Sequence, residues 1–163
     1  MSYELRAGEE KLPFDPAESA DGPRVAFIGK IRSPWAPGTA PRNIRKARAQ
    51  GCDGARLELE PAYVPGLSGL SVGDHIIVLY WMDRGRRDII RQMPRHVDAP
   101  RGTFALRSPV RPNPIALSTV RITTLDAARG IVGIDAIDCF DGTPLLDIKP
   151  WIETIDAPQA DIE

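Results

Sequence analysis

At 163 residues the chain is long enough to bury a core without disulfides or a structural metal. Its 21 basic and 22 acidic side chains leave a formal net charge of −1, which excludes bulk charge as a sign of a polyanionic partner. Cys52 and Cys139 form neither a CxxC pair nor a zinc-ligand spacing, and no apolar run reaches membrane length, so free thiols, no metal, no membrane and a cytoplasmic location are expected.

In chain order, residues 1–23 are polar and broken by Pro13, Pro16 and Pro23, and read as a tail with a short edge strand around Tyr3–Leu5. Arg24–Ile31 alternates as a first strand, stopped by Ser33-Pro34. A loop over residues 35–43 leads into a short basic helix, Ile44–Gln50, ended by Gly51. Ala55–Glu60 alternates strictly as a half-buried strand, and Pro61–Leu70 fits a helical or turn segment. His75–Trp81 is apolar on both faces and predicts a central strand; His75, at its start, reads as a structural histidine. Leu117–Leu125 and Ile131–Cys139 predict a hairpin about the turn Asp126–Gly130, and Asp141-Gly142 signals a further turn. The 153–163 segment reads as an acidic tail. The whole predicts a mainly β fold, a small antiparallel β-barrel with short helices over residues 24–152.

One stretch stands apart, RGTFALRSPVRPNPI at residues 101–115. Pro109, Pro112 and Pro114 fix φ and push the residues before them to extended geometry, which argues against a helix. Arg101, Arg107 and Arg111 set three permanent charges on that stiff backbone, where a guanidinium fork matches a carboxylate or a phosphate. The same composition also suits a Pro-rich surface loop with solvated charges. From Arg84 to Arg111 there are eight arginines against two aspartates, Asp88 and Asp98, while acidic residues gather at both ends of the chain. A basic middle in a near-neutral protein points to an anionic ligand or to a solvated face.

These residues resemble the signature of the TrmO-type (TsaA-like) tRNA methyltransferases, whose usual form is RxGVFATRSPxRPNPIG. IGKIRSP at 28–34, VPGL at 64–67 and DGTPLLDIKPW at 141–151 are similar to further segments of that family in the same order, so the resemblance covers roughly residues 24–152. It implies S-adenosyl-L-methionine as methyl donor, bound without a Rossmann sheet, and a homodimer with donor sites near the subunit interface. It also implies a reaction at the exocyclic amine of a modified adenosine next to the tRNA anticodon, with no DNA partner. The chain lacks the GxGxxG turn that would signal a nucleotide cofactor independently.

Carried over residue by residue, the resemblance implies donor contacts from Pro41, Arg42, Asn43, Asp83, Arg84, Arg107, Leu117, Asp141, Gly142, Thr143 and Pro144. Asn43 stands where the family has glutamine, Asp83-Arg84 where many members have His-Gln or His-Glu, and Ala116 where glycine is usual. Arg107, then Arg42, suits the donor's carboxylate, and Asp141 with the turn carbonyls suits its sulfonium. Asp83 is the candidate general base, a role that depends on partial burial. Arg86, Arg87 and Arg111 are candidates for RNA phosphates. Relatives acting on tRNA often carry a further C-terminal domain, which this chain ends too soon to hold. Two other classes therefore stay open: a methyltransferase for a small molecule or another RNA, and a non-catalytic donor-binding module.

Overall fold

A computed structural model describes residues 4–19, 22–94 and 97–158. The strands are β1 (Glu10–Lys11), β2 (Gly29–Arg32), β3 (Arg56–Leu59), β4 (His75–Trp81), β5 (Ile89–Gln92), β6 (Arg101–Gly102), β7 (Ile115–Asp126), β8 (Ile131–Ile134) and β9 (Thr143–Pro150). Two short helices, α1 (Ile44–Gln50) and α2 (Glu153–Asp156), and 3₁₀ segments at Pro61–Leu67 and Thr103–Ala105 complete the described elements. The chain groups into two units, one of Met1–Arg24 with Met82–Ala116, the other of Val25–Trp81 with Leu117–Glu163.

The second unit is a closed antiparallel barrel in the order β2-β3-β8-β7-β4-β9. Its interior is built from alternate residues: Ile31, Leu57, Ile76, Val78, Val120, Ile122, Val132 and Leu145 are fully buried. At about 25 cal/mol per Å² of apolar surface removed from water, these branched side chains supply the main drive for closure. β4 lies between β7 and β9 with one face buried and the other half-buried, although its two-faced apolar pattern predicted a central strand and a closed barrel has none. The α1 helix also has the predicted bounds. Asn43 caps its start by accepting from Lys46 N at 2.9 Å, and Gly51 ends it at φ +80°.

Three strand expectations change. The first strand begins at Gly29 rather than Arg24, leaving Val25 and Phe27 exposed outside the ladder. Pairing starts only where Ile28 N donates to Leu145 O and Ile28 O accepts from Glu60 N. β8 ends at Ile134 rather than Cys139, because side chains rather than a neighbouring strand satisfy the carbonyls beyond it. β9, expected only as a turn, is an eight-residue strand pairing with both β2 and β4. Its prolines disguise it: Pro144 and Pro150 bracket the strand and depress its sequence signal, yet Pro144 sits near one end where a missing donor is tolerated.

The first unit holds a three-stranded sheet, β1-β5-β6. Part of the stretch expected to be a tail thus supplies a strand. Glu4 and Leu5 are not in strand, and Tyr3 lies outside the described residues; the edge strand is instead Glu10–Lys11, paired with β5. The Pro-rich stretch is irregular apart from β6 and one 3₁₀ turn. It is held from below by Gln92, whose Nε2 donates to Thr103 Oγ1 (2.8 Å) and Val110 O (2.6 Å), while Thr103 Oγ1 donates to Ile89 O (3.0 Å).

Gly29 lies where the backbones of β2 and β3 approach closely. A Cβ there would lie 2.1 Å from Glu58 O and 2.9 Å from Leu59 Cα, both backbone atoms of the paired strand that cannot swing aside. Replacing Gly29 with alanine is expected to part β2 from β3 and to lower unfolding free energy by ~2–4 kcal/mol, measured by urea denaturation.

Candidate functional site

The barrel register gathers several chain ends at one rim. Arg32 lies opposite Arg56, Ile31 opposite Thr143, Arg56 opposite Gly133, and Tyr80 opposite Leu145. The ends of β2, β4 and β8 and the starts of β3, β7 and β9 therefore meet there. The loop to α1, carrying Pro41, Arg42 and Asn43, leaves from this rim, and Leu117 stands exposed at the start of β7.

Between β8 and β9 the chain crosses the rim as an irregular segment, residues 135–142, buried or half-buried as far as Phe140 and exposed at Asp141 and Gly142. Its backbone groups are satisfied by the loop after β2. Trp35 Nε1 donates to Ile137 O (2.7 Å) and Ser33 Oγ to Cys139 O (2.7 Å); Asp141 N donates to Trp35 O (2.9 Å) and Gly142 N to Ile31 O (2.8 Å). Thr143 donates from both its backbone N and its Oγ1 to Phe140 O. Gly142 adopts φ +81°, which the close turn into β9 requires and only glycine takes without strain. All three amides of the Asp141–Thr143 turn are spent internally.

Charges at the rim are chained. Glu58 accepts from Arg32 Nε (2.9 Å) and Arg56 Nε (3.0 Å), and Arg32 Nη1 reaches Asp141 Oδ2 (3.3 Å), whose other oxygen accepts from Ser33 N (3.2 Å). Partial burial works against ionisation of Glu58, but the two guanidiniums outweigh it and hold the carboxyl below its usual range. Asp135 is likewise held low: burial opposes ionisation, while Arg48 Nε (2.7 Å) and Arg121 N (2.8 Å) favour it.

Inside the rim Tyr80 is 3% exposed, and its hydroxyl donates to Asp138 Oδ1 (3.1 Å) and meets Ser118 Oγ (3.0 Å). A phenol has one proton, so with Asp138 as its acceptor the Ser118 hydroxyl must donate to Tyr80. Burial raises the Tyr80 pKa and pushes the Cys139 thiol up to about 12, so both keep their protons at neutral pH. Both cysteines are free and buried. Among the described residues no group of three or more His, Cys, Asp or Glu side chains is placed to hold a metal ion.

Residues 30–157 match the family described as tRNA-methyltransferase O N-terminal domain. The chain belongs to that family. It is 38% identical over 133 residues to a probable S-adenosyl-L-methionine-binding protein of Archaeoglobus fulgidus, covering 80% of this chain and 34% of that protein. The crystal structure of TrmO from Pseudomonas aeruginosa superposes with a TM-score of 0.65 at 34% identity, over 87% of this chain and 61% of that one. A tRNA (adenine(37)-N6)-methyltransferase of Mus musculus is 36% identical over 96 residues, 57% of this chain and 22% of the mouse enzyme. The chain thus spans about a third of the archaeal protein and less than two thirds of the bacterial structure.

Of the positions that the TrmO resemblance singles out, the barrel rim brings together Asp141, Gly142, Thr143, Pro144 and Leu117 with the loop that carries Pro41, Arg42 and Asn43. Two of these already have structural work: the Asn43 oxygen caps α1, and the Asp141 carboxylate is balanced by Arg32. Asp83, Arg84 and Arg107 belong to the other unit, and all three are exposed. Exposure leaves Asp83 without the burial on which its general-base role depended.

The arginines assigned to RNA each make internal contacts. Arg86 grips Asp88 through two bonds (2.8 and 2.6 Å). Arg87 donates to Pro112 O (2.6 Å), Asn113 Oδ1 (3.3 Å) and Pro16 O (3.5 Å), and Arg111 to Leu106 O (3.0 Å) and Ser108 O (3.2 Å). Arg87 and Arg111 brace a proline-rich backbone that has few amides to brace itself. His75 is exposed and lies edge-on to Trp151 with ring centroids 6.2 Å apart.

Sequence reasoning did not single out Tyr80, Ser118 and Asp138. The available signal was Asp138 itself, an acid within the otherwise apolar run Ala136–Phe140.

The Arg86–Asp88 pair gives an acid-stability test. The Arg86 guanidinium, helped by Lys11 at 3.3 Å, holds Asp88 down to about 2, below its unfolded value near 4. Its contribution is therefore complete above about pH 4 and is lost as pH falls towards 2. Asp88→Asn should remove ~1–2 kcal/mol at neutral pH and flatten the decline over that interval, followed by thermal melts at stepped pH.

Proposed function

We propose that the chain is an S-adenosylmethionine-dependent methyltransferase whose acceptor is the exocyclic amine of a modified adenosine beside the tRNA anticodon. The observation that carries this reading is the laced turn at the barrel rim, residues 138–144, in a member of the tRNA-methyltransferase O family. The names of the archaeal and mouse relatives support the donor and the acceptor respectively.

S-adenosylmethionine supplies a methyl group on a sulfonium, and transfer to an amine is an in-line displacement in which alignment provides much of the rate. At the rim, the turn carbonyls face the donor's positive charge and the exposed Leu117 side chain offers an apolar surface to its adenine. Pro41 and Arg42 approach from the loop before α1. By the family resemblance alone, Arg107 is assigned to a carboxylate, and Asp83 to hydrogen bonding with a ribose or amine and to the general-base role. Arg86, Arg87 and Arg111 are proposed to meet RNA phosphates with the donors that their internal engagement leaves over. That same engagement favours a second reading, in which the acceptor is a small molecule or another RNA.

No helix among the described residues is long and apolar enough to cross a membrane; a tRNA acceptor places the enzyme in the cytoplasm. Incubation with labelled donor and total tRNA from a strain lacking the native enzyme, followed by nucleoside analysis, is expected to place label in one modified adenosine. Donor binding by calorimetry with unlabelled tRNA selects the second reading, and no donor binding at millimolar concentration removes the enzyme.

The family resemblance further supports a homodimer. Light scattering should then give twice the 17.9 kDa chain mass; a monomer that binds donor tightly refutes a site completed by a second copy.

A further inference from the structure

The half-buried acids at the barrel rim are not alike. Glu58 meets two arginines and Asp135 one, and the exposed Asp141 beside them meets Arg32. Asp138 has no cation among the described residues. Its Oδ1 accepts from Tyr80, which is buried and is itself fixed by Ser118, so a neutral hydroxyl chain sets the carboxylate's orientation without balancing its charge. A partly desolvated carboxylate is costly unless a positive group meets it. Evidently the protein maintains it: three side chains from β4, β7 and the 135–142 segment converge on that one oxygen's bond, and Oδ2 keeps its lone pairs.

We propose that Asp138 binds the α-ammonium of the methyl donor's amino-acid end, with Tyr80 and Ser118 as positioning residues. This rests on the donor-dependent reading above. The location fits, because Asp138 begins the same laced turn, three residues before Asp141, whose carboxylate Arg32 already neutralises. The ligand's two cationic groups divide by chemistry. An ammonium donates directed hydrogen bonds and matches an oriented carboxylate; a sulfonium has no N–H and matches the carbonyl oxygens of the turn.

The test is calorimetric titration of S-adenosylmethionine, S-adenosylhomocysteine and 5′-methylthioadenosine. The first carries both cationic groups, the second only the ammonium and the third neither. Asp138→Asn should weaken the first two equally, by about 10- to 100-fold as for a charge-assisted bond, and leave the third within about twofold. Tyr80→Phe and Ser118→Ala should show the same pattern more weakly, and they carry the comparison if Asp138→Asn fails to fold by circular dichroism. Equal loss across all three ligands would make the trio structural and overturn the proposal. Loss confined to S-adenosylmethionine would move the contact to the sulfonium, and no loss would remove it; either overturns the proposal. If the unaltered chain binds none of the three, the donor reading itself fails and the assignment falls with it.

Discussion

β9 joins the two ends of the strand order and so closes the barrel. β9 pairs with β2 on one side and β4 on the other, so the backbone groups of both neighbours are satisfied only when it is in place. Its first residue, Thr143, is fixed by hydrogen bonds from its N and Oγ1 to Phe140 O. The turn that starts β9 is thereby the turn that shapes the rim. Gly142 supplies the positive φ of that turn without strain.

The rim achieves rigidity without regular structure. Over residues 135–142 the carbonyls that a strand partner would normally take are met by an indole N–H and a hydroxyl from the loop after β2. Side chains can place a backbone at angles no ladder allows, which suits a turn that must present carbonyl oxygens to a ligand. It also makes Ser33 and Trp35 as important to the site as the turn residues themselves, although neither has a group left over for chemistry.

Arginine plays two different parts in this protein. At the rim, Arg32 and Arg56 neutralise Glu58 and Arg32 reaches on to Asp141, while Asp138 has no cation among the described residues. In the Pro-rich stretch, Arg87 and Arg111 donate to carbonyls that three prolines leave without amide partners nearby. A guanidinium has five donors and no acceptor, so it suits both tasks. A count of positive charge along the sequence cannot tell a brace from a docking surface.

Alternation and capping were legible from sequence because they are local: β4 and α1 fall within the bounds their residues predict, and the short strands imply a small antiparallel barrel. The signature and the Asp141–Pro144 segment likewise pointed to the family before any coordinates. Tertiary structure alone decided the rest. β9 hid between prolines, since a strand is defined by partners that sequence does not show. The N-terminal stretch gained a strand from Glu10–Lys11 only through pairing with β5, nearly eighty residues away in sequence. The basic middle became partly a set of internal braces. The Ser118–Tyr80–Asp138 chain joins residues 38 and 58 apart, a contact that no local pattern encodes because the barrel's register creates it.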